Sequence, residues 1–165
     1  MLIITVTRNI TAPSHVAFEY ILPINLSHIF KRYSFLPGIV YTSWQSQNPL
    51  NQKWQEGASR IVHFDDKSTA NESMKKVITN KLFEYKITNW SSLLRLLIKK
   101  IEGKFVFSDI LNTSDTETNI VWTYTLFSQN IFAEKLIKII ILPRLEIVLN
   151  KAMDIIKNDL ETKNI

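Results

Sequence analysis

The chain has 165 residues, enough for one domain that takes about 70% of its unfolded surface inside. Zero cysteines exclude disulfide scaffolds, thiolate zinc sites, iron–sulfur clusters and cysteine nucleophiles, and suit a reducing cytoplasm, the expected compartment. The net charge of +5 comes from scattered basic singles and pairs, densest at Lys75-Lys76 and Lys99-Lys100, a solvated surface rather than a nucleic-acid stripe.

Residues 3–10 alternate loosely with Ile and Val and predict a strand. The start of the chain has neither a basic run nor an apolar run long enough for a signal peptide, so none is expected. Thr11-Ala12-Pro13 ends the strand and opens a short helix, with a hydroxyl or Asx-type cap expected near the proline. Val16, Ala17, Tyr20 and Ile21 give it an apolar stripe, and a second short helix is expected around Asn25 to Lys31. From Ile39 the period changes to two. Strands are predicted over 39–46, 58–64, 70–79, 82–90, 103–112 and 119–128, with turns at Asp65-Asp66-Lys67-Ser68 and Thr113-Ser114-Asp115-Thr116. Six strands at hairpin spacing predict an antiparallel meander.

Two segments stand apart. Between the fourth and fifth of these strands, 91–101 carries Leu94, Leu97, Ile98 and Ile101 on one helical face, with Arg95 and Lys99 elsewhere. It reads either as an amphipathic segment making transient contact with an anionic membrane, or as an extended strand or a lid on the last helix. From Phe132 to about Leu160, Ile137, Ile141, Leu145, Val148, Ala152 and Ile155 recur at helical spacing, with a kink expected at Pro143. Charges within its most apolar stretch, Glu134, Lys135, Lys138, Arg144 and Glu146, forbid a bilayer span there.

The pattern is α+β: a strand, two short helices, six strands and one long helix that must cover the sheet. Its order, with Ile10-Thr-Ala-Pro13, Tyr20-Ile21, Gly57-Ala-Ser-Arg60, Glu72, Phe83-Glu-Tyr85-Lys-Ile87-Thr88 and Val121-Trp122-Thr-Tyr124, resembles the START/Bet v 1-like (SRPBCC) superfamily, nearest its polyketide cyclase/dehydrase-like branch. One departure is Asp65-Asp66-Lys67 where such proteins often have Asp-Gly at the hairpin tip. The resemblance implies a helix-grip fold over about residues 3–162. Its curved, seven-stranded antiparallel sheet would wrap the C-terminal helix, with two short helices after strand 1 and an apolar cavity between sheet and helix.

Strand alternation assigns the wall of that cavity. If Arg60 points inward, so do Val62 and Phe64, and pairing through the 65–68 turn sets Glu72 opposite Arg60. The following strands offer Phe83, Tyr85 and Ile87, then Phe105 and Phe107, then Trp122, Tyr124 and Leu126. Ile141 and Leu145 on the long helix face them. The candidate ligand-binding set is therefore Arg60, Val62, Phe64, Glu72, Tyr85, Ile87, Phe107, Trp122, Tyr124, Ile141 and Leu145. An empty space of ~300 Å³, the lower end for ligand sites, would exceed most of a domain's net stability, so it must hold ligand, water or side chains.

Arg60 and Glu72 form either an anchor for a ligand carboxylate or enolate, or a structural cross-strand pair. Tyr85 and Tyr124 supply hydroxyls or are ordinary core tyrosines, and Trp122 is read as core filling. His15, His28 and His63 have no metal-ligand spacing, and on this register His63 points away from Arg60, so no metal site is expected. No nucleophile elbow or phosphate-binding glycine loop is present, so no cofactor is expected either. The leading expectation is binding or transport of a lipid-like or polycyclic molecule. The alternative is a cyclase, aromatase or dehydratase in the same cavity, with Arg60 and Tyr85 on an enolate and Glu72 as base.

Overall fold

Alternation of buried and more exposed residues marks most of the strands, and the chain folds into one seven-stranded antiparallel sheet. The computed structural model describes residues 1–45, 54–110 and 116–162. Strand β1 (Leu2–Ile10) is followed by helices α1 (Ser14–Ile21) and α2 (Leu26–Ile29). Then come β2 (Ile39–Trp44), β3 (Ser59–Phe64), β4 (Thr69–Ile78), β5 (Leu82–Thr88), β6 (Ile98–Ile110) and β7 (Glu117–Ser128). The spatial order is β1-β7-β6-β5-β4-β3-β2, so β2 to β7 run as a meander and β1 closes against β7. The predicted strand ends at Ser46 and at Leu111 and Asn112, and most of the expected 113–116 break, lie outside the described residues.

The long C-terminal helix has three parts: α3 (Ile131–Leu136), a π-helical turn (Ile137–Ile141) and α4 (Leu142–Thr162). Asn130 starts it, its side chain accepting from Ala133 N at 2.9 Å. The expected disturbance at Pro143 takes the form of the π-turn just before it. Proline removes a donor and crowds the preceding carbonyls, and the wider turn accommodates both, with Leu142 N bonded to Ile137 O. The Arg144 guanidinium donates to Ile140 O at 2.7 Å. Along α4, Val148, Leu149, Ala152, Met153, Ile156 and Leu160 are buried against the sheet and β1.

Two local expectations are corrected, and the glycine-free hairpin tip is accounted for. The start of α1 has no side-chain cap of its own; Pro13 occupies the N-cap, and Asp109 of β6 accepts from Ser14 N at 3.1 Å. Segment 91–101 is not one helix, because a 3-10 turn (Leu93–Leu96) leads directly into β6, which begins at Ile98 rather than at 103. The long β7 explains the early start: it offers partners out to Ser128, so Ile98 pairs there and Ile101 opposes Leu126. The 65–68 tip dispenses with glycine, since Lys67 takes a left-handed φ of 68° and Asp66 accepts from Ser68 N at 2.9 Å.

Candidate functional site

The β3–β4 hairpin fixes the polar centre of the molecule. Arg60 pairs with Glu72 and Val62 with Ala70, the register its four-residue tip requires. Arg60 Nε lies 2.6 Å from Glu72 Oε2, and the two residues are only 7% and 3% exposed. The guanidinium stacks 4.1 Å from the ring centre of Trp54. Among the described residues Arg60 uses only Nε in a hydrogen bond, which leaves the four N–H groups of its terminal nitrogens uncommitted there.

Between the curved sheet and α4 lies a mostly apolar cavity of about 120 Å³. Arg60, Val62, Phe64, Glu72, Tyr85, Ile87, Trp122 and Tyr124 line it from the sheet, and Ile141 and Leu145 from the helix. Phe107 does not. It is buried farther along β6, 5.4 Å from the ring of Phe18, where α1 closes the gap between helix and sheet. Phe105, its neighbour on the same face, lines the cavity in its place and stacks on Trp122 at 4.6 Å. Trp122, read from the sequence as filling, has a second part: its Nε1 donates to Tyr85 Oη at 2.9 Å.

Gly103 makes the position of Tyr85 possible. The two residues are directly paired, and a methyl group on Gly103 would fall 2.2 Å from the tyrosine ring. The ring therefore occupies the space that a side chain at 103 would need, and forms part of the cavity wall. Burial, more than any neighbour, pushes the Tyr85 phenol well above its ordinary range, with Tyr124 and Glu72 adding to the effect. The Tyr124 phenol is pushed up as well, again chiefly by burial. Both hydroxyls hold their protons throughout the neutral range.

Sequence reasoning missed Trp54, Phe30, Leu36, Trp90 and Leu94 in the wall. Trp54 and Leu36 sit in connections without a period; Phe30 shares a helical spacing with Leu26 and Ile29, Leu94 that of segment 91–101, and Trp90 lies in the predicted strand 82–90 past the actual end of β5 at Thr88. The Trp90 indole N–H is buried and finds no partner among the described residues. His63 faces away from Arg60's side, stacked on Tyr41 at 4.1 Å and 2.8 Å from Ser43 Oγ. Among the described residues no group of three His, Asp or Glu side chains is placed to hold a metal ion, and no helix is long and apolar enough to cross a membrane.

At one end the cavity shares Leu36, Pro37, Ser68, Leu94 and Ile141 with an open groove, whose outer wall adds Phe35, Leu93, Leu97, Leu136 and Ile140. At the other, Trp54 and Arg60 also face a surface groove between α1 and β2.

Set beside known proteins, this architecture is a helix-grip fold, the fold that the sequence resemblance implied. No family model and no curated protein matches the sequence. The likeness is to solved structures. XoxI from Bacillus cereus is 12% identical with a TM-score of 0.66, covering 100% of this chain and 99% of its own. Aha1 from Colwellia psychrerythraea, solved as a dimer in solution, is 13% identical with a TM-score of 0.61 over 98% of both chains. Ara h 8.0201, of the Bet v 1 family, is 10% identical with a TM-score of 0.55, covering 94% of this chain and 99% of its own.

Proposed function

We propose that this protein binds an apolar small molecule in the cavity between sheet and helix, with the Arg60–Glu72 end receiving the molecule's polar group. One observation carries the reading: a buried ion pair stands in the wall of an otherwise apolar cavity, its guanidinium donating only through Nε among the described residues. A buried pair is seldom the most stable filling for such a position, so a binding role accounts for it better than packing does. The unpartnered Trp90 N–H in the same wall is a second donor for a ligand.

Size narrows the ligand. At about 120 Å³ the cavity falls below the ~300 Å³ usual for ligand sites and close to the ~150 Å³ apolar hollow that accepts benzene. The best match is a single-ring aromatic or short branched molecule carrying a carboxylate. A lipid-like or polycyclic ligand requires the wall at Leu36, Leu94 and Ile141 to open into the adjoining groove. A cyclase or dehydratase is the weaker reading, because Glu72, its candidate base, has Oε2 engaged by Arg60.

Phenylacetate and toluene distinguish the two ends of the site. Calorimetric titration is expected to give one saturable site for each, both abolished by filling the hollow with Val62→Phe. The Arg60→Met/Glu72→Leu double variant is expected to weaken phenylacetate by about 10- to 100-fold, the worth of a charged hydrogen bond, and to leave toluene unchanged. Absence of saturable binding for both probes, or equal binding by wild type and Val62→Phe, refutes the reading.

A further inference from the structure

The open groove beside the cavity has an apolar rim that stays exposed among the described residues. Leu93 and Leu96 of the 3-10 turn are 76% and 61% exposed, Phe132 of α3 75% and Ile139 of the π-turn 72%. Phe35 and Ile140, also exposed, stand on the groove itself. Hydrogen bonds hold these segments together: Gln129 N donates to Leu97 O and its side chain to Arg95 O, both at 2.9 Å, tying the start of α3 to the 3-10 turn. The Arg144 guanidinium lies 5.1 Å from the Phe35 ring and joins α4 to the same rim. The π-turn shapes this face, presenting Ile139 and Ile140 to solvent while Ile137 and Ile141 stay buried.

Charge identifies the occupant. Arg95 and Lys99 flank the leucines, and Lys135 and Lys138 flank Phe132 and Ile139, all exposed. Of the acids near them, Glu134 binds the N-terminal ammonium at 2.6 Å and also feels the charge of Lys138, Asp66 holds the hairpin tip, and Asp65 pairs with Arg32. Large apolar side chains set among basic ones in excess of the acids beside them match an anionic bilayer, whose headgroups take the cations while its acyl boundary takes the leucines and Phe132.

We infer that this face docks reversibly on anionic phospholipid membranes, with Leu93, Leu96, Phe132 and Ile139 inserted and Arg95, Lys99, Lys135 and Lys138 on the headgroups. The docking surface stands independently of the ligand reading. If both hold, the mouth of the cavity rests on the bilayer, and an apolar ligand passes between lipid and protein without crossing water.

Vesicle co-sedimentation with the full chain tests it, using phosphatidylcholine alone and phosphatidylcholine with about one third phosphatidylserine. Binding is expected only to the phosphatidylserine vesicles. Each basic side chain near an anionic surface contributes about fivefold, so Arg95→Ser/Lys99→Ser/Lys135→Ser is expected to weaken binding about a hundredfold. Leu93→Ser/Leu96→Ser, exposed positions that leave the core intact, is expected to weaken it at least tenfold. Lys75→Ser/Lys76→Ser, also exposed but on β4, is expected to bind as wild type does, which separates the patch from net charge. Absence of binding, equal binding to both vesicles, or equal loss in the β4 variant overturns the proposal. So does a dimer in analytical ultracentrifugation that Leu93→Ser/Leu96→Ser dissociates, because the face would then belong to a second copy.

Discussion

Replacing one or both members of the Arg60–Glu72 pair separates what holds the fold from what the cavity does. In Arg60→Met the Glu72 carboxylate is left in an apolar wall without its counter-charge, and its cheapest recourse is to take up a proton. An ordinary glutamate carboxyl titrates near pH ~4.3, and each pH unit above that costs about 1.4 kcal/mol, so the ionisation penalty at about pH 7 is close to 3.7 kcal/mol. The folded variant then binds a proton that the unfolded chain lacks, so its stability falls as pH rises above the ordinary carboxyl range. Lowering the pH from about 7 to about 5 is expected to recover roughly 2.7 kcal/mol of the loss relative to wild type. Glu72→Leu has no such relief, since a guanidinium does not deprotonate, and its cost of about 3–5 kcal/mol is expected to change little over that range. Arg60→Met/Glu72→Leu, which removes both charges, is expected within about 1–2 kcal/mol of wild type, the stacking on Trp54 being the main loss. Urea denaturation of the four proteins at both pH values provides the numbers. Costs that simply add in the double variant, or an Arg60→Met penalty that does not shrink on acidification, would refute the argument that these are two mutually compensating buried charges.

Other positions give sharp tests of the geometry. Gly103→Ala is expected to cost about 1–3 kcal/mol and to change tryptophan fluorescence, because the new methyl group displaces the Tyr85 ring from Trp122; in a Tyr85→Val background the cost should largely vanish. Lys67→Gly is expected to stabilise the hairpin by up to about 1 kcal/mol, the relief of a left-handed φ on a side chain with a Cβ, read as a rise in the urea midpoint. Alkaline stability follows from the two buried phenols. Above pH ~10 the unfolded tyrosines release protons that folded Tyr85 and Tyr124 retain, so stability falls by about 1.4 kcal/mol per pH unit for each. Denaturation between about pH 9 and pH 11 measures the slope, and Tyr85→Phe/Tyr124→Phe should reduce it to the part left by Tyr20, whose phenol is also pushed up by burial and its bond to Asp159.

Much of this architecture is legible in the sequence because it rests on short-range periodicity. Alternation located the strands to within a few residues, and the four-residue tip after Phe64 was enough to set Arg60 opposite Glu72. Segment 93–101 resisted because its apolar residues satisfy a helical spacing and a strand at once; the partners offered by β7, distant in sequence, decide the matter. Phe107 has the right parity for the cavity, but parity gives a face and not a position along it, and Phe18 fills the space there. Trp54 and Leu36 enter the wall from connections that carry no period, and Trp90 from just past Thr88, where β5 ends short of the predicted strand. The cavity volume was the least accessible quantity, since it depends on how side chains rest on one another, Tyr85 over Gly103 above all.

The order of strands has a consequence for how the molecule comes into being. The meander from β2 to β7 assembles from neighbours, each hairpin available as soon as its second strand exists. Strand β1 is made first and joins last: Thr5 and Thr123, whose hydroxyls meet at 3.4 Å, are 118 positions apart along the chain. Until β7 is in place, β1 has no partner, α4 lacks part of its seat, and an apolar sheet face stands open. Closure of so long a loop places folding in the slow, topology-limited range of milliseconds to seconds. During that interval the nascent chain is an amphipathic sheet whose β7 edge is raw, and its most vulnerable moment comes just before its two ends meet.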